Sequence, residues 1–199
     1  MSIVLQGSTS GSVTLQEPAV AGTTVLTLPA VSGTILTTAS SGQSIPKAAL
    51  PTGSVLQVVS VNKVDSFSTT STSFTDITGL SVSITPISST SKIYVVATIP
   101  VVSAASGSGA NFALSRNGTL IGQGTSGTTQ NSIAVVFVNT NDFYNGTSFS
   151  ILDSPATTSA ITYQIRLLSS AGGTCWIGRR GSDTYGGSSS TLTAMEIAA

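Results

Sequence analysis

A chain of 199 residues with seven basic and seven acidic side chains, 7% charged in all, has room for one ordinary domain plus an appendage. It carries far less charge than the roughly 25% of a typical globular protein. Zero formal net charge removes the attraction that nucleic-acid binding requires, and no apolar run reaches the roughly 18 residues of a membrane-spanning helix.

The first element is an internal repeat. Pro18, Ala19, Val20 and Gly22 recur as Pro29, Ala30, Val31 and Gly33, and Gly11 carries the same 11-residue step backwards. A unit this short encloses no core of its own. Each reads as a turn at glycine, which tolerates positive φ, followed by a β-branched extended run that proline stops from continuing as a central strand. Residues 1–39 are therefore read as an extended β arm that becomes ordered against other copies or a larger assembly, with Val13, Leu15, Val25, Leu26, Leu28, Ile35 and Leu36 as its anchoring side chains. The start, MSIVLQGSTSG, has no basic region ahead of a long apolar core and is not read as a secretory signal. Residues 40–53, rich in Ser, Gly and Pro, are the linker.

Residues 54–199 read as the head, an all-β antiparallel sandwich of short strands separated by turn residues. Runs at 55–64 and 67–77 come first, and Gly79 is expected to turn the chain into 80–85, where Leu80, Val82 and Ile84 share one face. The run 92–102 is the candidate core strand, buried on both faces for part of its length, with Pro100 taking its last residues out of the ladder. Asn117-Gly118 marks a type I′ hairpin. A buried strand at 132–139 follows, and then 148–153 and 161–169 as a pair in which Ile161, Tyr163, Ile165 and Leu167 alternate with polar residues. Cys175-Trp176-Ile177 and the closing 190–198 complete the set, with Trp176 read as core between two apolar neighbours.

Chemistry is sparse. Without histidine, and with Cys175 as the one thiol, neither a zinc site of the usual ligand set nor a histidine-activated nucleophile can be built, and no disulfide closes within the chain. Cys175 is expected as a small buried apolar residue. Asp76, Asp142 and Asp183 stand in turn-like contexts where aspartate bonds its own backbone, so no catalytic residue, cofactor or metal ligand is assigned. Loop 139–146 offers oxygen ligands without the spacing of a helix-loop-helix calcium site. The loops 139–146 and 178–190 carry the residues suited to surface contact, namely Asp142, Phe143, Tyr144, Arg179, Arg180 and Tyr185. Two arginines on a glycine-rich loop are expected to be solvated or bonded locally rather than set against nucleic acid.

The arm GSTSGSVTLQEPAVAGTTVLTLPAVSGTILTT resembles an N-terminal segment found in many tailed-phage virion proteins, particularly of phages of marine and freshwater bacteria. The stretch GSVLQVVSVNKVDSFSTTSTSFTDITGLSVSITPISSTSKIYVV and the final TLTAMEI resemble the associated fibre or decoration domain. The resemblance implies a homotrimeric virion surface protein, assembled in the host cytoplasm, with a jelly-roll type sandwich and no catalytic residues. Its small size favours a capsid decoration (cement) protein whose arm grips the major capsid protein. The alternative it implies is a short tail fibre or fibre tip, bound to a tail component and contacting host surface polysaccharide.

Overall fold

The computed structural model describes residues 3–6, 9–15, 50–105, 107–125, 127, 129–137, 145–183 and 186–199, in two units that lie within 1–45 and 46–199. In the first, β1 (Ile3–Gln6) pairs antiparallel with β2 (Ser12–Leu15), Leu5 opposite Val13 and Ile3 opposite Leu15. Gly11, at φ 78°, lies in the connection and takes a conformation that costs other residues energy. Of the anchoring candidates, Val13 and Leu15 thus belong to β2; Val25, Leu26, Leu28, Ile35 and Leu36 lie outside the described residues.

The second unit is all-β, with no helix among the described residues. One sheet has the order β3 (Val55–Lys63), β13 (Ser190–Ile197), β6 (Lys92–Ala104) and β10 (Asn145–Asp153). Beyond the end of β13, β12 (Cys175–Ile177) pairs with the last residues of β6 and carries β4 (Phe67–Thr69) at its side. The other sheet has the order β5 (Thr75–Ile84), β11 (Ile161–Ser169) and β7 (Gly109–Arg116), and along the free edge of β7 lie β8 (Thr119–Ile121) and then β9 (Ala134–Phe137). Every pairing is antiparallel. The pairs nest: the first long strand lies beside the last, β5 beside β11, β6 beside β10, and β7 beside β8 and β9.

Alternation along the strands supplies the core. Ile93, Val95, Ala97 and Ile99 of β6, Leu192 and Ala194 of β13, Phe112 and Leu114 of β7 and Ile161, Tyr163, Ile165 and Leu167 of β11 form one buried cluster drawn from both sheets. At about 1.5–3 kcal/mol for each large apolar side chain removed from water, this cluster dominates the stability of the unit. The Asn117-Gly118 hairpin is as expected, with φ 48° and 84°, the two positive values of a type I′ turn.

Four expectations are corrected. Gly79 does not turn the chain: β5 runs through it, and its φ of 80° serves a bulge where β5 slips against β11 between Gln164 and Arg166. The Gln164 side-chain amide fills that bulge by donating to the carbonyls of Ile77 (2.9 Å) and Leu80 (3.1 Å). Pro100 does not end the ladder either. β10 shifts register opposite it, and pairing resumes with β12 at Val102–Ala104; only there is β6 buried on both faces. The runs 148–153 and 161–169 do not pair: the first joins β6 and the second joins β5 and β7, so the connection between them crosses the sandwich. Finally, Val135 and Phe137 of β9 are exposed, because β9 alternates instead of being covered on both sides.

Candidate functional site

The remaining half of the β3-β13-β6-β10 residues faces outward, and the register sets them in rows. Val58, Met195, Tyr94 and Leu152 form one row across all four strands; Ser60, Thr193, Val96 and Ser150 form the next, and Asn62, Thr191, Thr98 and Ser148 the third. Val55, Ile197 and Lys92 lie on the opposite side of the apolar row. Val58 and Leu152 are 55% and 57% exposed and Tyr94 37%, so a continuous apolar band crosses the sheet, with the two largely hydroxylated rows on one side of it. Lys92 is the one charged residue in these rows, and its ammonium donates to Ser154 Oγ at 2.9 Å. Within the second row the Ser60 and Thr193 hydroxyls bond each other at 2.8 Å. A separate cleft of about 250 Å³ is lined by Leu50, Leu56, Ile87 and Ala198 together with Ser88, Thr90 and Ser91.

The outer side of the second sheet differs. Ala113, Ser115 and Leu168 are buried there, Asn111 donates to the Gln130 carbonyl (3.5 Å) and Gln130 to that of Ser170 (3.3 Å), so the β8–β9 connection lies against it. Further along, Arg166 pairs with Asp76 at 2.5 Å. Asp76 therefore sits in β5 opposite Arg166, not in the turn expected for it.

Two carboxylates lie on the inner side. Asp153, at the end of β10, accepts from Arg116 Nη1 at 2.8 and 2.9 Å and from the Tyr163 hydroxyl at 2.7 Å. Burial, then the bond to Asp153, raises the Tyr163 phenol far above its usual range. Glu196, fully buried, accepts from Gln57 Nε2 (2.5 Å) and from the amides of Ile87 (2.7 Å) and Ser88 (3.4 Å). Its burial opposes ionisation, but these donors and Ser91 together outweigh it and hold the carboxyl below its usual value. Each carboxylate is enclosed by its own donors, which is the arrangement of a structural tie and not of an acid and base facing one substrate. Among the described residues no three Asp, Glu or Cys side chains form a metal-sized group.

The loop after β12 accounts for the arginine pair. Arg180 donates to Asp183 through Nε (2.9 Å) and Nη2, and Arg179 Nη1 reaches the Asp183 carbonyl (3.5 Å), the local bonding expected for them. Gly181 N donates to Ser103 Oγ (3.2 Å), which lays this loop over Trp176: a Cβ on Gly181 would come within 2.5 Å of the indole. Trp176 is thus half-buried under the loop, while its neighbours Cys175 and Ile177 enter the core. The expectation of a core tryptophan fails because alternation sends it to the other side of β12. Asp142, Phe143, Tyr144 and Tyr185, like most of loop 139–146, lie outside the described residues.

The chain matches no protein-family model and no curated protein. Its surfaces are the remaining indication of its function. Of them, the apolar row escaped sequence reading, since its members lie on four strands distant in the chain; the available signal was an apolar residue at an outward position in each strand.

Cys175 is completely buried, with Sγ 3.7 Å from the Gly109 carbonyl, and burial pushes its thiol above the ordinary value. Thiol-disulfide reagents should label the folded protein at least about a hundredfold more slowly than the chain in denaturant, because labelling requires opening of the core. Equal labelling rates in the two states would show that β12 does not stay in the sheet.

Proposed function

We propose that this protein is a non-enzymatic structural subunit of a tailed-phage virion: a homotrimeric capsid decoration protein, with residues 1–39 as its anchor and a jelly-roll head displayed outward. The nested strand pairing carries the reading. First beside last and inward to β7 with β8 and β9 is the order of two interleaved Greek keys, an architecture that recurs in viral capsid and lectin domains. The 7% charge adds to it, since a protein that stays single in solution ordinarily keeps a charged, patch-free surface. Enclosed carboxylates and the lack of histidine favour a role without catalysis.

Deleting residues 1–39 should leave a folded trimeric head that no longer binds capsids, checked by co-sedimentation with empty heads. Retained binding would count decisively against the arm as the anchor. A fibre-tip role on host polysaccharide is the second reading; copurification with tails instead of heads, and glycan binding lost in Tyr144→Ala or Tyr185→Ala, would select it.

A further inference from the structure

We propose that the open face of the β3-β13-β6-β10 sheet is turned toward the threefold axis of the trimer, where it meets its own copies, with Val58, Met195, Tyr94 and Leu152 at the centre of the contact. The inference rests on the self-assembling reading above and adds the surface responsible for it.

The two outer faces of the sandwich are treated differently by the chain itself. One has the β8–β9 connection against it and an Arg166–Asp76 ion pair. The other is left open along its apolar row, with Val58 and Leu152 more than half exposed. Four strands about 4.8 Å apart and six residue steps of about 3.4 Å give that face about 400 Å² in projection. This is about half of the roughly 800 Å² that one partner contributes to a standard interface, the size of a small contact.

Its chemistry selects the occupant. A hydroxyl both donates and accepts, so rows of Ser and Thr complement their own copy in a way that a charged face, which repels itself, does not. Lys92 is the one formal charge in these rows, and it stands on the far side of the apolar row from the hydroxyl rows, so nothing across the centre opposes a second copy. A nucleic acid would find no cations here beyond that lysine, and an acidic or basic partner no field to recognise.

The test uses the full chain and its molar mass in solution. Leu152→Glu and Val58→Glu alter exposed side chains and should weaken self-association at least tenfold while the circular dichroism is unchanged. Thr162→Glu, on the exposed side of the second sheet, should not. Should a glutamate variant misfold, Ser150→Cys serves instead: with Cys175 buried, the new thiol on this face should react at least tenfold more slowly in the assembled protein than Val135→Cys on β9. An assembled wild type whose mass survives both glutamates, or whose Ser150→Cys reacts as fast as Val135→Cys, overturns the inference and leaves self-assembly standing on another surface. A wild type that is monomeric at about 100 μM, far above the dissociation constant of a specific interface, overturns the self-assembling reading itself.

Discussion

Replacing Asp153 with alanine should lower the unfolding free energy by about 2–3 kcal/mol at neutral pH, the scale for losing hydrogen bonds to a charged, part-buried acceptor. Asp153 belongs to β10 in one sheet, whereas Arg116 and Tyr163 belong to β7 and β11 in the other, so the three bonds it accepts tie the two sheets together. With the carboxylate gone, the completely buried Tyr163 hydroxyl loses its acceptor, and Arg116, about one-third exposed, keeps only what water can offer. Asp153→Asn retains one acceptor and should cost about half as much.

The same tie has an alkaline signature. The folded state holds the Tyr163 proton well above the usual 10, while the unfolded chain releases it near that value. Stability from this group is therefore complete below about pH 10 and declines above it, by up to about 1.4 kcal/mol per pH unit. Tyr163→Phe should lose about 1 kcal/mol at neutral pH yet decline less steeply in alkali. Urea titrations at several pH values decide the matter, and parallel alkaline slopes for the two proteins would remove the role given to the phenol.

How much of this was legible follows from what period and local chemistry report. Alternation in Ile161, Tyr163, Ile165 and Leu167 gave the inner face of β11, and Asn117-Gly118 gave a hairpin, because both signals lie within a few residues. Gly79 misled because a left-handed glycine serves a turn and a bulge equally, and only the partner strand separates them. The link between β10 and β11 misled because a short connection suggests a hairpin, yet in this nesting it carries the chain from one sheet to the other. Asp153 and Glu196 could have been noticed: Leu192, Ala194 and Glu196 stand two apart, which places an acid at a core position. What it bonds to there depends on Gln57 and on residues 87–91, more than a hundred positions away in the chain, and no local pattern supplies that.

Glu196→Gln is expected to destabilise the protein by about 3 kcal/mol at neutral pH, since bonds to a buried charged acceptor each contribute roughly 1.5–3 kcal/mol and one of its oxygens becomes a donor. Glu196 Oε1 takes the Ile87 and Ser88 amides and Oε2 takes Gln57. A glutamine must then set an NH₂ against another donor whichever way it turns. The segment so fastened, residues 85–91, carries the chain from β5 in one sheet to β6 in the other, and Gln57 also donates to the Thr85 carbonyl at 2.7 Å. Loosening it frees one end of the sandwich. The sign with pH is opposite to that of Tyr163. The folded carboxyl is held below its usual 4.5, so as acid is added the unfolded chain takes up its proton first. The contribution is complete above about pH 5 and is lost as pH falls through the lowered folded value. Wild type should therefore lose stability in acid faster than Glu196→Gln, and the two denaturation curves should converge as the pH falls through the lowered folded value. If the variant is within about 0.5 kcal/mol of wild type at pH 7, or the gap does not close in acid, Glu196 is not the fastening of this crossover.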